Sequence, residues 1–499
     1  MAMRQHSLTG AGRVTGSVTV FLALSLSASR LFTETALESA RAFLLRAQAQ
    51  TALESALDSL FAGYDTELFD RYGLLFLNRG RTVKNRSVEA IVEDAMGAEL
   101  NPPGGGTPAA GNLLREHVAE VTVTEMRDPV YYGQGEYYAR NVLDYMKYRA
   151  VARKVQEITD AEQISELGEE ARRQNEASRG SSSQAAKEAE EQMRRLEQEE
   201  GKEDSRSRTE EEVNRSLIGK VNELRKSGIL NLTVPSVGAI SRAAISYADY
   251  PSLHYGDSGH ASLSFLKESS MNLLMADYAL EHFQNYTSGG GSGTLRYEQE
   301  YILSGKASDY DNLSGCIDRL LFLREGMNIL TIVSEPDLCA AASSFAAGLV
   351  GWTGIGALTA VTEGAVIASW AFGESILDVR SLLAGEKIPL RKIRAEWRTD
   401  LDSIGELLAG ENRSTACQEH GMTYGDYVCM LMLKVPRRQK QFRMMDLTEF
   451  SMRAVDGGFR MHNCIYGLSV SVTVTAAPLF SGIGGTGGYQ FTVRGSRMY

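Results

Sequence analysis

Hydrophobic positions at the start of the chain first form a continuous run and then adopt a helical spacing. A basic leader, residues 1–16, precedes an apolar run at 17–28. From there to residue 62 apolar residues recur every three or four positions, with charged residues on the opposite face. This pattern predicts one long N-terminal helix over 17–62 that is first apolar and then amphipathic.

The apolar run is shorter than the roughly 20 residues that a membrane-spanning helix needs, because Arg30 follows it closely. Three interpretations stay open, besides a buried core helix of a cytoplasmic protein. The run is a secretory signal peptide cut among the small residues at 25–29, a membrane anchor with Arg30 at the surface, or a pilin-like leader processed between Gly16 and Ser17. For an anchor, the basic leader predicts a cytoplasmic N-terminus and an extracellular bulk.

Residues 63–227 divide into two parts of different composition. Residues 63–155 predict a small α+β unit, with a strand at 118–124 and a helix from Glu136 to about Val155. Residues 156–227 are rich in Glu, Arg, Gln and Ser and lack an apolar seam. They predict a charged helical arm or linker that is partly disordered.

Residues 228–499 predict the main α+β domain. Helices are expected at 264–283 and 311–332, and the stretch 338–362 contains no charged residue. Because glycines interrupt that stretch between Gly348 and Gly356, a packed helical hairpin over 338–383 is the first interpretation. A membrane span at 338–362, which would make the protein polytopic, is the second.

The C-terminal end has the alternation of β-strands, at 466–476 and 489–493. The run between them places Gly482, Gly484 and Gly487 in GxGxxG spacing. A dinucleotide site needs such glycines to open a helix, whereas here they join two strands and predict the tip of a hairpin. The expected fold class is therefore α+β, predominantly helical, with an antiparallel sheet that includes the C-terminal strands and residues 118–124.

Charge and cysteine usage exclude some partners. The formal net charge of -11 and the isoelectric point near 5.4 argue against nucleic-acid binding. The odd number of cysteines forms no CxxC pair. Buried free thiols are the first expectation, and a bridge between Cys417 and Cys429, the closest pair in sequence, is the alternative.

Residues with catalytic chemistry do not form a recognisable motif. P-loop, HExxH and GxSxG sequences are absent, and His254 and His260 are expected on a surface loop. Glu298 and Glu300 are expected to form salt bridges beside Arg296 and Lys306 rather than to perform acid–base chemistry. We therefore expect no catalytic, cofactor-binding or metal-binding residues and no cofactor. An exported hydrolase whose site is assembled from distant residues is the alternative.

One segment and four further blocks carry a resemblance to a known family. The segment contains Tyr297, Glu298, Glu300, Tyr301, Gly305, Lys306, Asp309 and Asn312, and the blocks lie at 60–76, 145–149, 351–355 and 374–384. Together they resemble an envelope protein family of Gram-positive, clostridial-type anaerobes labelled domain of unknown function 5702. The resemblance implies a relative of the minor pilins of Tad/Flp pilus and secretion systems, held in the membrane by its N-terminal helix. It brings no catalytic residue.

The chain departs from the pilin pattern at one position. Type IV-like pilins place a glutamate at the fifth residue after the cleaved glycine, and here that residue is Phe21. The first acidic residues are Glu34 and Glu38. This departure favours an anchored accessory protein over a regular filament subunit.

The mature N-terminus distinguishes a pilin-like leader from an ordinary secretory signal peptide. For the pilin-like leader we expect a membrane-bound protein from the native cell that begins at Ser17, measured by N-terminal sequencing and membrane partition. A soluble protein that begins near Ala28 or Arg30 would instead identify an ordinary signal peptide and a secreted protein.

Overall fold

The computed structural model describes residues 12–82, 86–101, 116–132, 135–150, 217–226, 228–246, 268–289, 293–401, 420–480 and 488–499, with a few isolated positions between 170 and 195. Several sequence-based predictions lie outside the described residues. These are the first part of the leader, most of the charged arm at 156–227, the proposed hairpin tip with Gly482, Gly484 and Gly487, and the residues His254, His260 and Cys417.

The chain forms two compact units that are discontinuous in sequence. The first comprises residues 1–70, 75–132 and 462–499, and the second comprises 71–74 and 133–461. This division differs from the boundaries at 63–155 and 228–499 expected from composition. The reason is that the strand near residue 120 pairs with a C-terminal strand, which places both in the same unit.

The first unit combines one long helix with short helices and antiparallel strands. Its sheet has the order β2-β4-β5, and a separate pair joins β1 to β3. The elements are α1 (Gly12–Phe61), α2 (Thr66–Tyr72, whose last two residues belong to the second unit), β1 (Leu77–Asn78), α3 (Arg79–Thr82), α4 (Val88–Leu100), β2 (His117–Arg127), β3 (Cys464–Ile465), β4 (Gly467–Ala476) and β5 (Tyr489–Met498).

Antiparallel pairing holds the sheet together, with register shifts in β2 between Val118 and Glu120 and between Val123 and Glu125. Strand β4 pairs with β2 from His117 opposite Thr475 to Arg127 opposite Gly467, and with β5 from Ala476 opposite Tyr489 to Gly467 opposite Met498. Alternate residues of β4 are buried on one face, as expected for a sheet with one covered and one solvated face. The predicted strands and their antiparallel pairing are confirmed.

The second half of α1 packs on the covered face of this sheet. Gly495 of β5 permits the close approach, because a Cβ atom there would lie 3.0 Å from Leu57 and 3.2 Å from Leu53. Gln50 donates a hydrogen bond to the Arg494 carbonyl of the edge strand β5 at 3.2 Å, so the helix also occupies part of the strand edge. The buried residues of this core are Ala49, Ala52, Leu53, Ala56, Leu57, Leu60, Phe61, Leu77, Val88, Val92, Met96, Leu100, Ile465, Leu468, Val470, Val472, Val474 and Val493.

The second unit is helical in its described residues. The elements are α5 (Glu136–Ala150), α6 (Leu217–Lys226), α7 (Ile229–Thr233), α8 (Glu268–His282), α9 (Glu298–Ser304), α10 (Asp309–Ser334), α11 (Pro336–Val350), α12 (Gly356–Leu383), α13 (Tyr424–Met432) and α14 (Arg437–Val455). Helices α10 and α12 pack on each other, and α11 packs on α12.

The charge-free stretch of the second unit forms the expected helical hairpin. Helices α11 and α12 are joined by a 3-10 turn at Gly351–Thr353, and α12 ends at Leu383, two residues before Gly385. Leu338, Ala342, Ala346 and Val350 are buried at intervals of four residues along α11. The predicted α+β fold, with its long N-terminal helix and C-terminal antiparallel strands, is confirmed.

Filling the close approach at Gly495 should loosen the sheet. We expect Gly495→Val to lower the free energy of local opening of β4 and β5 by about 1–3 kcal/mol, because the added methyl groups clash with Leu53 and Leu57. Hydrogen exchange of the full chain, read by mass spectrometry, measures this change. Ser496→Val, on the neighbouring exposed position, is the matched control; equal exchange in the two variants would contradict the packing argument.

Candidate functional site

The first candidate is the apolar half of α1, residues 18–37. Its large side chains are exposed: Phe21 is 69% and Phe32 is 75% accessible. Within the described residues, Val18–Phe61 is a helix long and apolar enough to cross a membrane; α10 and the segment Pro336–Thr353 satisfy the same test only as a pair bent by 94°. The apolar half of α1 is thus a candidate membrane anchor or signal sequence. Its exposed large residues are Val18, Val20, Phe21, Leu22, Leu24, Leu26, Leu31, Phe32 and Leu37.

Polar side chains in the apolar half bond within the helix. Arg30 donates from Nε to Glu34 Oε1 at 2.7 Å, one helical turn further on. Thr33 and Thr35 donate to backbone carbonyls one turn earlier, at 2.7 and 2.5 Å. Such internal bonds lower the cost of removing these groups from water.

The candidate leader-processing residues Gly16 and Ser17 lie near the start of α1. The helix runs without a break through both positions to Phe61. The structure therefore joins the candidate cleavage position and the exposed apolar half in one continuous element.

The second candidate is the family-resemblance segment, residues 297–312, in the second unit. Its buried side chains bind neighbouring backbone, and we call this arrangement the buried clasp. Glu298 Oε2 accepts the backbone N–H of Gln284 at 2.8 Å, and Glu300 Oε1 accepts that of Tyr286 at 2.9 Å. Between them, Gln299 donates to the Phe283 carbonyl at 2.7 Å. Three successive residues at the start of α9 therefore bind the backbone that follows α8.

Asp309 and Asn312 hold the next part of the segment in the same way. The Asp309 carboxylate accepts the backbone N–H groups of Arg296 and Tyr297 at 3.0 and 3.1 Å, and the Ser241 hydroxyl at 2.6 Å. Asn312 bonds both backbone groups of Lys306, accepting its N–H at 2.7 Å and donating to its carbonyl at 2.9 Å. Both side chains are fully buried.

Tyr301 and Gly305 connect α9 to α14. The Tyr301 hydroxyl donates to Asp446 at 2.8 Å. Gly305 ends α9 with a φ of 66°, and a Cβ atom there would lie 2.5 Å from the Arg443 guanidinium. That guanidinium donates to the carbonyls of Ile302 and Leu303, at 2.7 and 3.0 Å. Glycine is thus required both for the left-handed backbone and for the space that Arg443 occupies.

The expected salt bridges of Glu298 and Glu300 with Arg296 and Lys306 are wrong. Both carboxylates instead point into the protein and accept backbone N–H groups. Burial raises the pKa of each to about 7, since desolvation disfavours the charged form. The groups that these carboxylates bind are backbone N–H groups. Every residue except proline has one, so a sequence pattern does not indicate which of them is bound.

Glu300 also belongs to a chain of side chains with the chemistry of a nucleophile and a base. The Tyr424 hydroxyl donates to Glu300 at 2.8 Å and lies 3.4 Å from Cys316 Sγ. All three side chains are buried, and burial raises the pKa of the Cys316 thiol well above its usual range. A neutral, enclosed thiol is a poor nucleophile, so this arrangement favours packing over catalysis.

A buried ionic network, which sequence reasoning missed, links α10, α12 and the segment after α12. Arg324 donates two bonds to Asp378, at 3.0 and 2.8 Å. Lys392 pairs with both Glu374 and Asp378, and Arg398 also contacts both carboxylates. Burial alone would raise the pKa of Asp378, but the three cations hold it well below its usual range. The sequence signal for this network is the presence of Arg324, Glu374 and Asp378 among the apolar residues of α10 and α12.

The ionisable residues form no metal site within the described ranges. No group of three or more His, Cys, Asp or Glu residues there is placed to hold a metal ion. The four described cysteines, Cys316, Cys339, Cys429 and Cys464, carry free thiols, and Cys316 and Cys464 are buried.

The buried clasp and the ionic network both fall inside a match to a known family. A model described as a family of unknown function (DUF5702) matches residues 207–476. The chain belongs to this family. The match begins after α1 and includes β4. No curated protein and no solved structure matches the chain.

The buried carboxyl of Glu300 should make stability depend on pH. The folded state keeps its proton up to about pH 7, whereas the ordinary value is 4.5. The protonated Glu300 carboxyl therefore contributes fully to the free energy of unfolding below about pH 4.5, and this contribution is lost as the pH rises through 7. We expect Glu300→Gln, which cannot ionise, to reduce the loss of stability between pH 5 and 8 by an amount on the order of 3 kcal/mol.

Denaturant unfolding of the second unit across that pH range measures this difference. Glu223→Gln, at an exposed position of α6, is the control and should leave the pH dependence unchanged. Parallel curves for the wild-type protein and Glu300→Gln would show that the carboxyl is already ionised throughout.

Proposed function

We propose that this protein is a non-enzymatic, membrane-anchored envelope protein of a Gram-positive cell. In this proposal it is an accessory or minor pilin-like component of a Tad/Flp-type pilus or secretion system. The N-terminus is cytoplasmic and most of the chain is outside. The observation that carries the proposal is the division of α1 into an exposed apolar half and a second half packed on a sheet.

The balance of transfer free energies supports insertion of the apolar half. Each Leu, Val or Phe in a spanning helix gains about 0.3–0.6 kcal/mol on the insertion scale, and a central Arg costs about 3 kcal/mol. The nine exposed apolar residues named above contribute about 3–5 kcal/mol, which offsets the cost of Arg30 but not a separate charge on Glu34, so insertion depends on the Arg30–Glu34 pair. The pair with Glu34 and the position of Arg30 beyond the middle of residues 18–37 lower that cost further.

The architecture of the first unit supports the pilin-like part of the proposal. A single helix leaves the apolar region and continues, without a break, as the helix that covers an antiparallel sheet. The family resemblance implies the same arrangement. Phe21, which stands where pilins have glutamate, supports an accessory role rather than a regular filament subunit.

The arrangement of ionisable groups supports a non-enzymatic role. In the second unit, Glu298 and Glu300 accept backbone N–H groups, and Glu374 and Asp378 pair with cations; all four carboxylates are buried. They hold segments in place, as a scaffold protein requires.

Placing charges in the apolar half should release the protein from the membrane. We expect the double substitution Leu22→Arg and Leu26→Arg to add about 6 kcal/mol to the insertion free energy, so that the protein no longer resists alkaline extraction of native membranes. Phe43→Arg with Leu44→Arg is the matched control, because both positions are exposed on α1 beyond residue 37. Membrane retention of the first variant, or a soluble wild-type protein, would overturn the proposal.

A further inference from the structure

A short apolar segment of the first unit, residues 477–480, is fixed to α1 by two buried charged side chains. Arg41 donates to the Ala477 carbonyl at 2.9 Å. Glu38 Oε1 accepts the backbone N–H of Leu479 at 3.1 Å, and the two side chains pair with each other at 3.2 Å. The segment follows β4 directly and so extends from one end of the sheet.

The length of the apolar half places this segment at a definite depth. Residues 18–37 form about 20 residues of helix, which at 1.5 Å per residue span about 30 Å. This is the thickness of the hydrocarbon core of a bilayer. Glu38 and Arg41 follow immediately on the same helix, so residues 477–480 lie at the level where α1 leaves the hydrocarbon.

The surroundings of the segment are suited to lipid. Ala477, Pro478, Leu479 and Phe480 are all apolar, and Leu479 is 39% exposed. The ionisable side chains Glu38, Arg41 and Glu116 at this end of the sheet are buried, whereas the imidazole of His117, opposite Thr475, is exposed. Neither carboxylate oxygen of Glu116 has a hydrogen-bond partner in the described part of the chain, and burial raises its pKa to about 7.

We propose that residues 477–480 form a second membrane contact, which inserts into the boundary between headgroups and acyl chains of the bilayer beside α1. The occupant of this surface is lipid, because the segment is continuous with the exposed apolar half and lies at the depth where that half ends. Two contacts, α1 and the segment, would hold the end of the sheet against the membrane surface. This inference rests on the proposed membrane anchoring of α1.

Depth-dependent quenching tests this second contact. In two variants of the full chain, an environment-sensitive fluorescent amino acid replaces Leu479 or Met498, and each protein is reconstituted into phosphatidylcholine–phosphatidylglycerol vesicles. Met498 is the matched control because it is 43% exposed. The segment lies near Tyr489, the first residue of β5, whereas Met498 is the last residue of β5. A ten-residue strand separates these two ends by about 30 Å. We expect nitroxide lipids labelled near the headgroup to quench position 479 several-fold more than position 498.

Vesicle flotation separates failure of this inference from failure of the anchor. A chain that floats with the vesicles, but shows equal quenching at positions 479 and 498, would retain the anchor and overturn the second contact. A chain that does not float would overturn the anchoring proposal, and the second contact with it.

Discussion

The pairing of β2 with β4 is the constraint on which the first unit depends. It brings His117 opposite Thr475, across an intervening stretch that contains nearly all of the second unit. Closing so long a loop carries an entropic cost that grows slowly with its length, but it delays folding because distant residues must meet. Once formed, the pairing completes the sheet on which α1 packs, and without that sheet the amphipathic half of the helix would have no core.

Sequence patterns predicted the positions of helices and strands better than they predicted which elements pair with one another. The long helix α1, the alternating strands and the glycine-broken hairpin are local periodicities, and each lies close to its predicted position. The choice of strand partner is not local, so the composition boundary near residue 155 did not anticipate the two units. The roles of Glu298 and Glu300 escaped prediction for the same reason, since the groups they bind are the backbone N–H groups of residues 284 and 286.

The segment from Tyr297 to Asn312 contains several side chains that bind backbone groups. Asp309 and Asn312 each satisfy two or more main-chain groups in a buried region, where an unsatisfied group would be costly. Replacement by a residue of different length would leave several groups unpaired at once. The identities of Asp309 and Asn312 in this chain therefore follow from the requirements of folding.

The unbroken course of α1 has a mechanical consequence. Neither glycine nor proline occurs between Val18 and Phe61, so the helix has none of the usual points at which helices kink. In an anchored protein, the tilt that the apolar half adopts is imposed directly on the sheet packed against the second half. Because helices tilt to match the local bilayer thickness, the orientation of the first unit above the membrane would follow the thickness of the membrane beneath it.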